Sequence, residues 1–286
     1  MANLKEIRNR IASVSSTMQI TSAMKMVSAA KLKKAQDAIT AMRPYANKLT
    51  ELLQSLSASL DGDAGSKFAD NRTVNKVLVV AITSNRGLCG AFNSNIIKQA
   101  NALIGETYAG KQVDIMAIGK KGNDILSKKQ DVIANHSEVF DTLTFENVAS
   151  IAQDLMKYFT EGDYDRIDLV YNKFKNAATQ IVMTEQFLPI VPVEGDASGA
   201  ADYIFEPSKP EIVEQLIPKS LKTQLYKAIR DSFASEHGAR MTAMHKATDN
   251  ATELRDQLKL TYNKARQAAI TNEILEIVGG AEALNN

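Results

Sequence analysis

Residues 4–27 read LKEIRNRIASVSSTMQITSAMKMV, and the architecture turns on this stretch. Leu4, Ile7, Ile11, Val14 and Met18 recur at alternating intervals of three and four, the spacing of a coiled-coil seam. The same spacing resumes at Leu32, Ala35, Ile39, Met42, Ala46, Leu49, Leu53, Leu56 and Leu60. Residues 3–60 hold one proline, Pro44, and no glycine. A helix of roughly 80–90 Å is therefore expected, at about 1.5 Å per residue. Pro44 has no N–H to donate and should bend or interrupt it near residues 41–44. The other end of the chain repeats the pattern. Met244, Ala247, Ala251, Leu254, Leu258, Thr261, Ala265 and Ala268 form a second seam, and Gly238 is the only breaker across residues 219–278. Two terminal seams can fold antiparallel into one shaft, with Ile11, Val14 and Met18 on one arm and Leu254 and Leu258 on the other.

Between the arms the period changes. Residues 61–66 (DGDAGS) read as a loop where the first arm stops. Residues 76–83 form a β-branched run closed by Ser84-Asn85-Arg86-Gly87, a buried strand ending in a turn. Residues 93–104 have helical spacing, 113–118 are a second apolar strand closed by Gly119-Lys120-Lys121-Gly122, and 145–159 read as another helix. Residues 167–174 and 180–187 read as strands paired through the turn at 175–179. Strands alternating with helices imply a Rossmann-like α/β domain with a largely parallel sheet. The expected division is an amino-terminal shaft helix over 1–60, an α/β domain over 74–206 and a carboxyl-terminal shaft helix over 208–286. Pro189, Pro192, Gly195, Gly199 and Pro207 mark the irregular return to the second arm.

Composition narrows the function classes. The 44% hydrophobic and 23% charged content is that of a soluble protein, and no apolar run reaches the length of a membrane helix. The charged start leads straight into the seam, so no secretory signal is expected. The single cysteine, Cys89, excludes an internal disulfide and fits a reducing compartment. The net charge of +1 hides a division. Residues 1–57 carry nine Lys/Arg against three Asp/Glu, and residues 58–207 carry fourteen against twenty. The basic arm lacks the aromatic interleaving of a nucleic-acid surface and suits solvent or an acidic partner instead.

The glycine loops sit where an α/β sheet would bind a ligand. Arg86-Gly87-Leu88-Cys89-Gly90 follows the first strand and precedes a helix, the position of a phosphate cradle. Its spacing fits neither Gly-x-Gly-x-x-Gly nor the P-loop, and tight strand-to-helix turning explains the glycines more simply. A Rossmann-like enzyme binding a nucleotide there and a free-standing coiled-coil scaffold both remain open on the residues alone. His136, His237 and His245 are scattered without a metal-ligand arrangement. Cys89 has no obvious base partner and reads as a packed residue at a crowded turn. Met18, Met24, Met26, Met42, Met241 and Met244 fall mainly on the seams, where packing is the default. No catalytic residues, metal ligands or cofactor site emerge.

The two ends carry a more specific signal. Arg10-Ile11-x-Ser13-Val14-x-x-Thr17, Ile20-Thr21-x-Ala23-Met24-x-Met26-Val27 and Lys31-Leu32 resemble the amino terminus of gamma subunits of F-type, bacterial-type ATP synthases. Ser235-Glu236-x-x-Ala239-Arg240-Met241-x-Ala243-Met244 resembles that family's carboxyl-terminal region. So does Asn263-x-Ala265-Arg266-Gln267-Ala268-x-Ile270-Thr271-x-Glu273-x-x-Glu276-x-x-x-Gly280-Ala281. Ser84-Asn85-Arg86-Gly87-Leu88-Cys89-Gly90-x-x-Asn93 is similar to its first strand-to-helix turn, so the likeness covers essentially the whole chain. The regulatory cysteine pair of plant-type members is absent.

The resemblance implies a non-catalytic rotor shaft, turned by proton flow, inside a hexamer of alpha and beta subunits that carries the ATP chemistry. Its other implied partners are the epsilon subunit and the c-subunit ring, on the cytoplasmic side of a bacterial inner membrane and without insertion into it. Met24 then matches the position facing an acidic lever region of a beta subunit. Arg240, with Thr271 and Glu273, belongs to a set linked to coupling. Arg266 and Gln267 match a pair that hydrogen-bonds a catch loop on the hexamer, a contact that suits a planar arginine fork. Without the resemblance, each would read as an exposed helix residue whose ion pairs contribute about 0–1 kcal/mol.

Overall fold

The computed structural model describes residues 4–57, 66–70, 72–190 and 209–284. Two helices take up the chain ends, α1 (Leu4–Ser57) and α6 (Lys209–Leu284). Between them lie α2 (Ser66–Ala69), β1 (Lys76–Ile82), α3 (Phe92–Ala102), β2 (Gln112–Ile118), α4 (Lys120–Leu126), β3 (Val132–Asn135), α5 (Phe145–Thr160), β4 (Arg166–Phe174) and β5 (Gln180–Leu188). The chain divides into two compact units. One comprises residues 29–240 and the other residues 1–28 with 241–286.

The larger unit is built on a five-stranded sheet of order β3-β2-β1-β4-β5. β1 runs parallel to β2 and β4, β2 runs parallel to β3, and β4 pairs antiparallel with β5. This is the largely parallel sheet expected from the alternation of strands and helices. Every β1 residue from Val77 to Ile82 is fully buried, because helices cover both faces. That is why the strand reads as an unbroken apolar run rather than an alternating one. Leu78, Val80 and Ile82 face a core shared with α5 and with Ile217, Leu221, Leu225, Ala228 and Ile229 of α6. Val77, Val79 and Ala81 face the opposite core, closed by Ile96, Ile97 and Ala100 of α3.

Helix α5 shows how local sequence produces this packing. Val148, Ile151, Ala152, Leu155, Met156 and Phe159 make one buried stripe at helical spacing. Each large side chain among them contributes about 1.5–3 kcal/mol by leaving water. Thr144 caps the helix, its Oγ1 accepting from Asn147 N at 3.3 Å, where an alanine would cost about 1 kcal/mol.

Within this unit α1 buries Leu32, Ala35, Ile39, Ala46 and Leu49, five of the expected seam positions. The side chains of Leu53, Leu56 and Leu60, and residues 61–65 of the loop expected over 61–66, lie outside the described residues, while Ser66 begins α2. Of the bend or interruption expected at Pro44, the interruption does not occur: α1 runs through it. Pro44 itself is exposed, while Ile39 before it and Ala46 and Leu49 after it are buried, so packing on both sides outweighs the missing hydrogen bond. Besides α2, some other elements were not anticipated. The glycine-flanked turn after β2 continues directly into α4, and the short strand β3 adds a parallel edge.

In the smaller unit the chain ends pair antiparallel. Arg8 Nη2 donates to Tyr262 Oη at 2.8 Å, Arg255 Nη1 approaches Met18 Sδ at 3.4 Å, and Thr248 Oγ1 donates to Thr21 Oγ1 at 2.8 Å. As one arm's numbers rise, the other's fall. Ile7, Thr21 and Ser28 are buried and Ile11, Val14, Met18 and Met24 half-buried, so the amino-terminal seam stands as read. The carboxyl-terminal seam is shifted. Met244, Thr248, Ala251, Arg255, Leu258, Tyr262 and Ala265 are covered at alternating intervals of four and three, and the expected Ala247 is half-buried beside them, as is Thr252. Leu254 is 40% exposed and Thr261 and Ala268 are exposed, so these three expected seam residues are corrected. Arg255 and Tyr262 displace them because each lays an apolar stem or ring along the seam, Arg255 placing Nη1 against Met18 Sδ and Nη2 against Asp256, and Tyr262 meeting Arg8 with its hydroxyl.

Candidate functional site

In the larger unit, the turn between β1 and α3 closes on itself and on α6. Leu88 adopts φ +62° and Gly90 φ +59°, so the chain reverses through two left-handed residues. A Cβ added at Gly87 would meet nothing within 4 Å. Packing within the chain therefore does not require glycine at 87, whereas the backbone at Gly90 favours it. Inside the turn, Asn93 ties Ser84 to Cys89. Its Oδ1 accepts from Ser84 N at 2.9 Å, and its Nδ2 donates to Ser84 Oγ at 2.9 Å and to Cys89 Sγ at 3.3 Å. Ser84 Oγ in turn donates to the Arg86 carbonyl at 2.7 Å. Cys89 is 1% exposed. Burial raises its thiol pKa, against the opposing pull of Ser84 and of the Arg240 charge.

Arg240 reaches this turn from α6. Its Nη2 donates to the Arg86 carbonyl at 2.9 Å and to the Gly87 carbonyl at 3.2 Å, and Nε donates to the Gly87 carbonyl at 3.3 Å. Nη1 holds Glu236 Oε1 at 2.6 Å and lies 3.4 Å from His237 Nδ1. The arginine and glutamate side chains are only 9% and 10% exposed. The guanidinium faces carbonyl oxygens, whereas a phosphate cradle presents amide hydrogens to its ligand.

Burial raises the Glu236 carboxyl above its ordinary range despite the nearby Arg240 and Lys31 charges. Burial, with the same two cations, pushes His237 down to about 4. Arginine can only donate, so Nδ1 of His237 is the acceptor and the ring hydrogen sits on Nε2, a buried atom with no hydrogen-bond partner among the described residues. The Phe233 ring packs edge-on against this imidazole at 4.5 Å.

Two close approaches fix α6 and the sheet turns in place. A Cβ at Gly238 would come within 3.2 Å of the Ala177 backbone in the β4–β5 turn. Ser235 Oγ donates to the Asn172 carbonyl at 2.9 Å, and Asn172 Nδ2 donates to the Phe92 carbonyl at 3.1 Å. At the β2–α4 turn, a Cβ at Gly119 would fall 2.2 Å from the Thr83 carbonyl, and Gly122 N donates to Thr83 Oγ1 at 2.8 Å. These glycines serve tight turning.

In the smaller unit the residues singled out from sequence have a different setting. Met24 is half-buried and its neighbours Met26 and Val27 are 64% and 57% exposed. Arg266, Gln267, Thr271 and Glu273 are all exposed on α6. The side-chain bond described among them is local, Thr271 Oγ1 donating to the Gln267 carbonyl at 2.9 Å. Ile270, Ile274, Leu275, Ile277 and Val278 are exposed as well, an apolar surface facing no described residue closely enough to be covered. Sequence reading grouped Arg240 with Thr271 and Glu273, but the structure places it in the larger unit, committed to Glu236 and the 86–90 turn. The Glu236–Arg240 spacing and the mid-helix Gly238 were the available signals for that packed position.

Comparison with known proteins gives one answer throughout. The family described as ATP synthase matches residues 3–284. A protein named ATP synthase gamma chain from Flavobacterium psychrophilum is 78% identical over 285 residues, covering 99% of both chains. Its namesake from Flavobacterium johnsoniae is 76% identical over the full length of both. Among solved structures, the central stalk and c-ring of the Tetrahymena thermophila mitochondrial ATP synthase contains a chain 27% identical, with TM-score 0.59. That alignment covers 80% of this chain and 99% of the other. A chain of the Euglena gracilis mitochondrial ATP synthase shares the fold at 23% identity and TM-score 0.69, over 98% of this chain and 94% of its own. A match over almost every residue, joined to full-length relatives of this identity, means that the chain belongs to the ATP synthase gamma-chain family.

Proposed function

We propose that this chain is the central rotor shaft of a proton-translocating F-type ATP synthase, coupling proton flow to ATP synthesis or hydrolysis on an alpha/beta hexamer. It carries no catalytic chemistry itself. The observation that carries the reading is the surface of α6 beyond the paired seam, where Ile270, Ile274, Leu275, Ile277 and Val278 stand exposed in a chain of this family. So much apolar side chain in water suits a partner surface. Such a shaft acts by touching the conformations of each beta subunit unequally, since a ligand shifts an equilibrium only through differential affinity.

Met24 then meets an acidic segment of a beta subunit, Arg266 and Gln267 hold a catch loop, and Thr271 and Glu273 contribute to coupling. Arg240 belongs to the same functional set. The epsilon subunit and the c-subunit ring are the remaining partners, and the chain sits peripherally on the cytoplasmic side of the bacterial inner membrane. No helix among the described residues is long and apolar enough to cross a membrane. Reconstitution with alpha and beta subunits, scored for complex formation and ATPase activity, tests the reading. In membrane vesicles, Met24→Lys should add a cation beside Lys25 and lower protons pumped per ATP hydrolysed while assembly persists. An unchanged ratio would remove Met24 from the coupling set.

A further inference from the structure

Leu88 sits in the left-handed region at φ +62°, yet its own side chain is 65% exposed and gains little cover for it. A side chain rarely adopts that backbone without surrounding structure to impose it. The imposing group is on α6. We propose that Arg240 is a positioning residue for the 86–90 turn: anchored by Glu236, it ties down the Arg86 and Gly87 carbonyls and so keeps Cys89 inward and Leu88 outward. Every nitrogen of the guanidinium has an acceptor inside the chain. Arg240 therefore acts through the turn and not by touching a partner.

The chemistry explains the choice of arginine. One planar fork reaches two successive carbonyls and a carboxylate at once, whereas a lysine ammonium is a point charge on a flexible stem. Glu236 supplies the counter-charge that lets the guanidinium stay buried, on the same helix face at the i, i+4 spacing. On the far side of the turn, Asn93 and Ser84 hold Cys89 Sγ, so the loop is gripped from both flanks. The consequence for coupling rests on the shaft function proposed above; the consequence for the turn does not.

Cys89 is the only cysteine in the sequence and reports on the turn directly. The full-length chain would be treated with N-ethylmaleimide under native conditions, and modification of Cys89 followed by mass spectrometry. Arg240→Gln and Arg240→Lys should raise the rate at least tenfold, beyond the fraction of chain that each variant's own urea transition shows to be unfolded. Arg266→Ala should leave it unchanged. Glu236→Gln, which keeps an acceptor for Arg240 but removes its counter-charge, should give a smaller increase. The same Arg240 variants, assembled in vesicles from membranes lacking their own gamma chain, should pump fewer protons per ATP hydrolysed. Continued protection of Cys89 in Arg240→Gln overturns the clamp. If that variant does not fold, protection in Glu236→Gln equal to that of the unsubstituted chain overturns it. An open Cys89 with an unchanged pumping ratio overturns the link to coupling, whereas failure of the unsubstituted chain to restore pumping overturns the shaft function itself.

Discussion

In the sheet-bearing unit, α6 buries polar side chains; in the unit formed by the chain ends, the same helix leaves apolar ones exposed. Asp231, Ser235, Glu236 and Arg240 are all under a tenth exposed, while Ile274, Leu275 and Ile277 are more than half exposed. Taken alone, either choice is unfavourable. Buried charge is tolerated only with a partner, and Arg240 and Glu236 have theirs within the chain. Exposed apolar surface is retained where another molecule covers it, which is the condition proposed for the end of α6. The difference lies in where the partners reside: inside the chain in one unit, on other subunits in the other.

The comparison breaks most readily at glycine. Gly119→Val would drive a Cβ into the Thr83 carbonyl at a residue with φ +116°, combining overpacking with backbone strain. A loss of about 4 kcal/mol or more is expected from urea unfolding followed by tyrosine near-ultraviolet circular dichroism. The next test sets two arginines against each other. Arg240→Ala strands a buried Glu236 and should cost about 3–5 kcal/mol, whereas exposed Arg266→Ala should stay within about 0.5 kcal/mol. Equal effects would mean that the burial contrast has no energetic content.

Acidity sharpens the same contrast. His237 has its folded pKa lowered from an ordinary 6.5 to about 4, so below pH 6.5 the unfolded chain takes up a proton that the folded chain refuses. Its contribution is therefore complete above pH 6.5 and declines as pH falls toward 4, by about 3 kcal/mol at most. Glu236, raised by burial, acts in the opposite sense as it protonates. The measurement is thus a difference: stability at pH 7 minus stability at pH 5 should be larger in the unsubstituted chain than in His237→Gln. The smallest effect is expected at the exposed end. Nothing lies within 4 Å of a Cβ at Gly280, so Gly280→Ala should favour the helix by about 0.5–1 kcal/mol, seen as increased far-ultraviolet ellipticity.

Much of this architecture was legible wherever burial imposes a pattern. β1 is covered on both faces and so reads as a solid apolar run; the α1 seam reads correctly because Leu32, Ala35 and Ile39 are aliphatic and buried. The failures have equally physical causes. β3 has four residues with alternate partial exposure, too short a run to stand out. α4 begins Lys-Lys-Gly, and Gly122 looks like a breaker although close contact with Thr83 is the reason for it. On α6, Leu254 satisfied an apolar seam better than Arg255, but pairing with the other arm selected Arg255 and Tyr262. The exposed candidates Arg266, Gln267, Thr271 and Glu273 became visible only through family resemblance, since the bond described among them, Thr271 Oγ1 to the Gln267 carbonyl, is an ordinary local helix contact. Arg240 showed the converse limit: its motif was recognised, but its acceptors, Arg86 and Gly87, come from the distant β1–α3 turn.

Amide hydrogen exchange on the full-length chain, alone and assembled with alpha and beta subunits, tests most directly whether the exposed end of α6 is completed by other subunits. Residues 266–281 should exchange rapidly in the free chain and become at least tenfold slower in the complex, while β1, already buried on both faces, exchanges slowly in both. Exchange over 266–281 at the same rate in the free and assembled states would contradict the account.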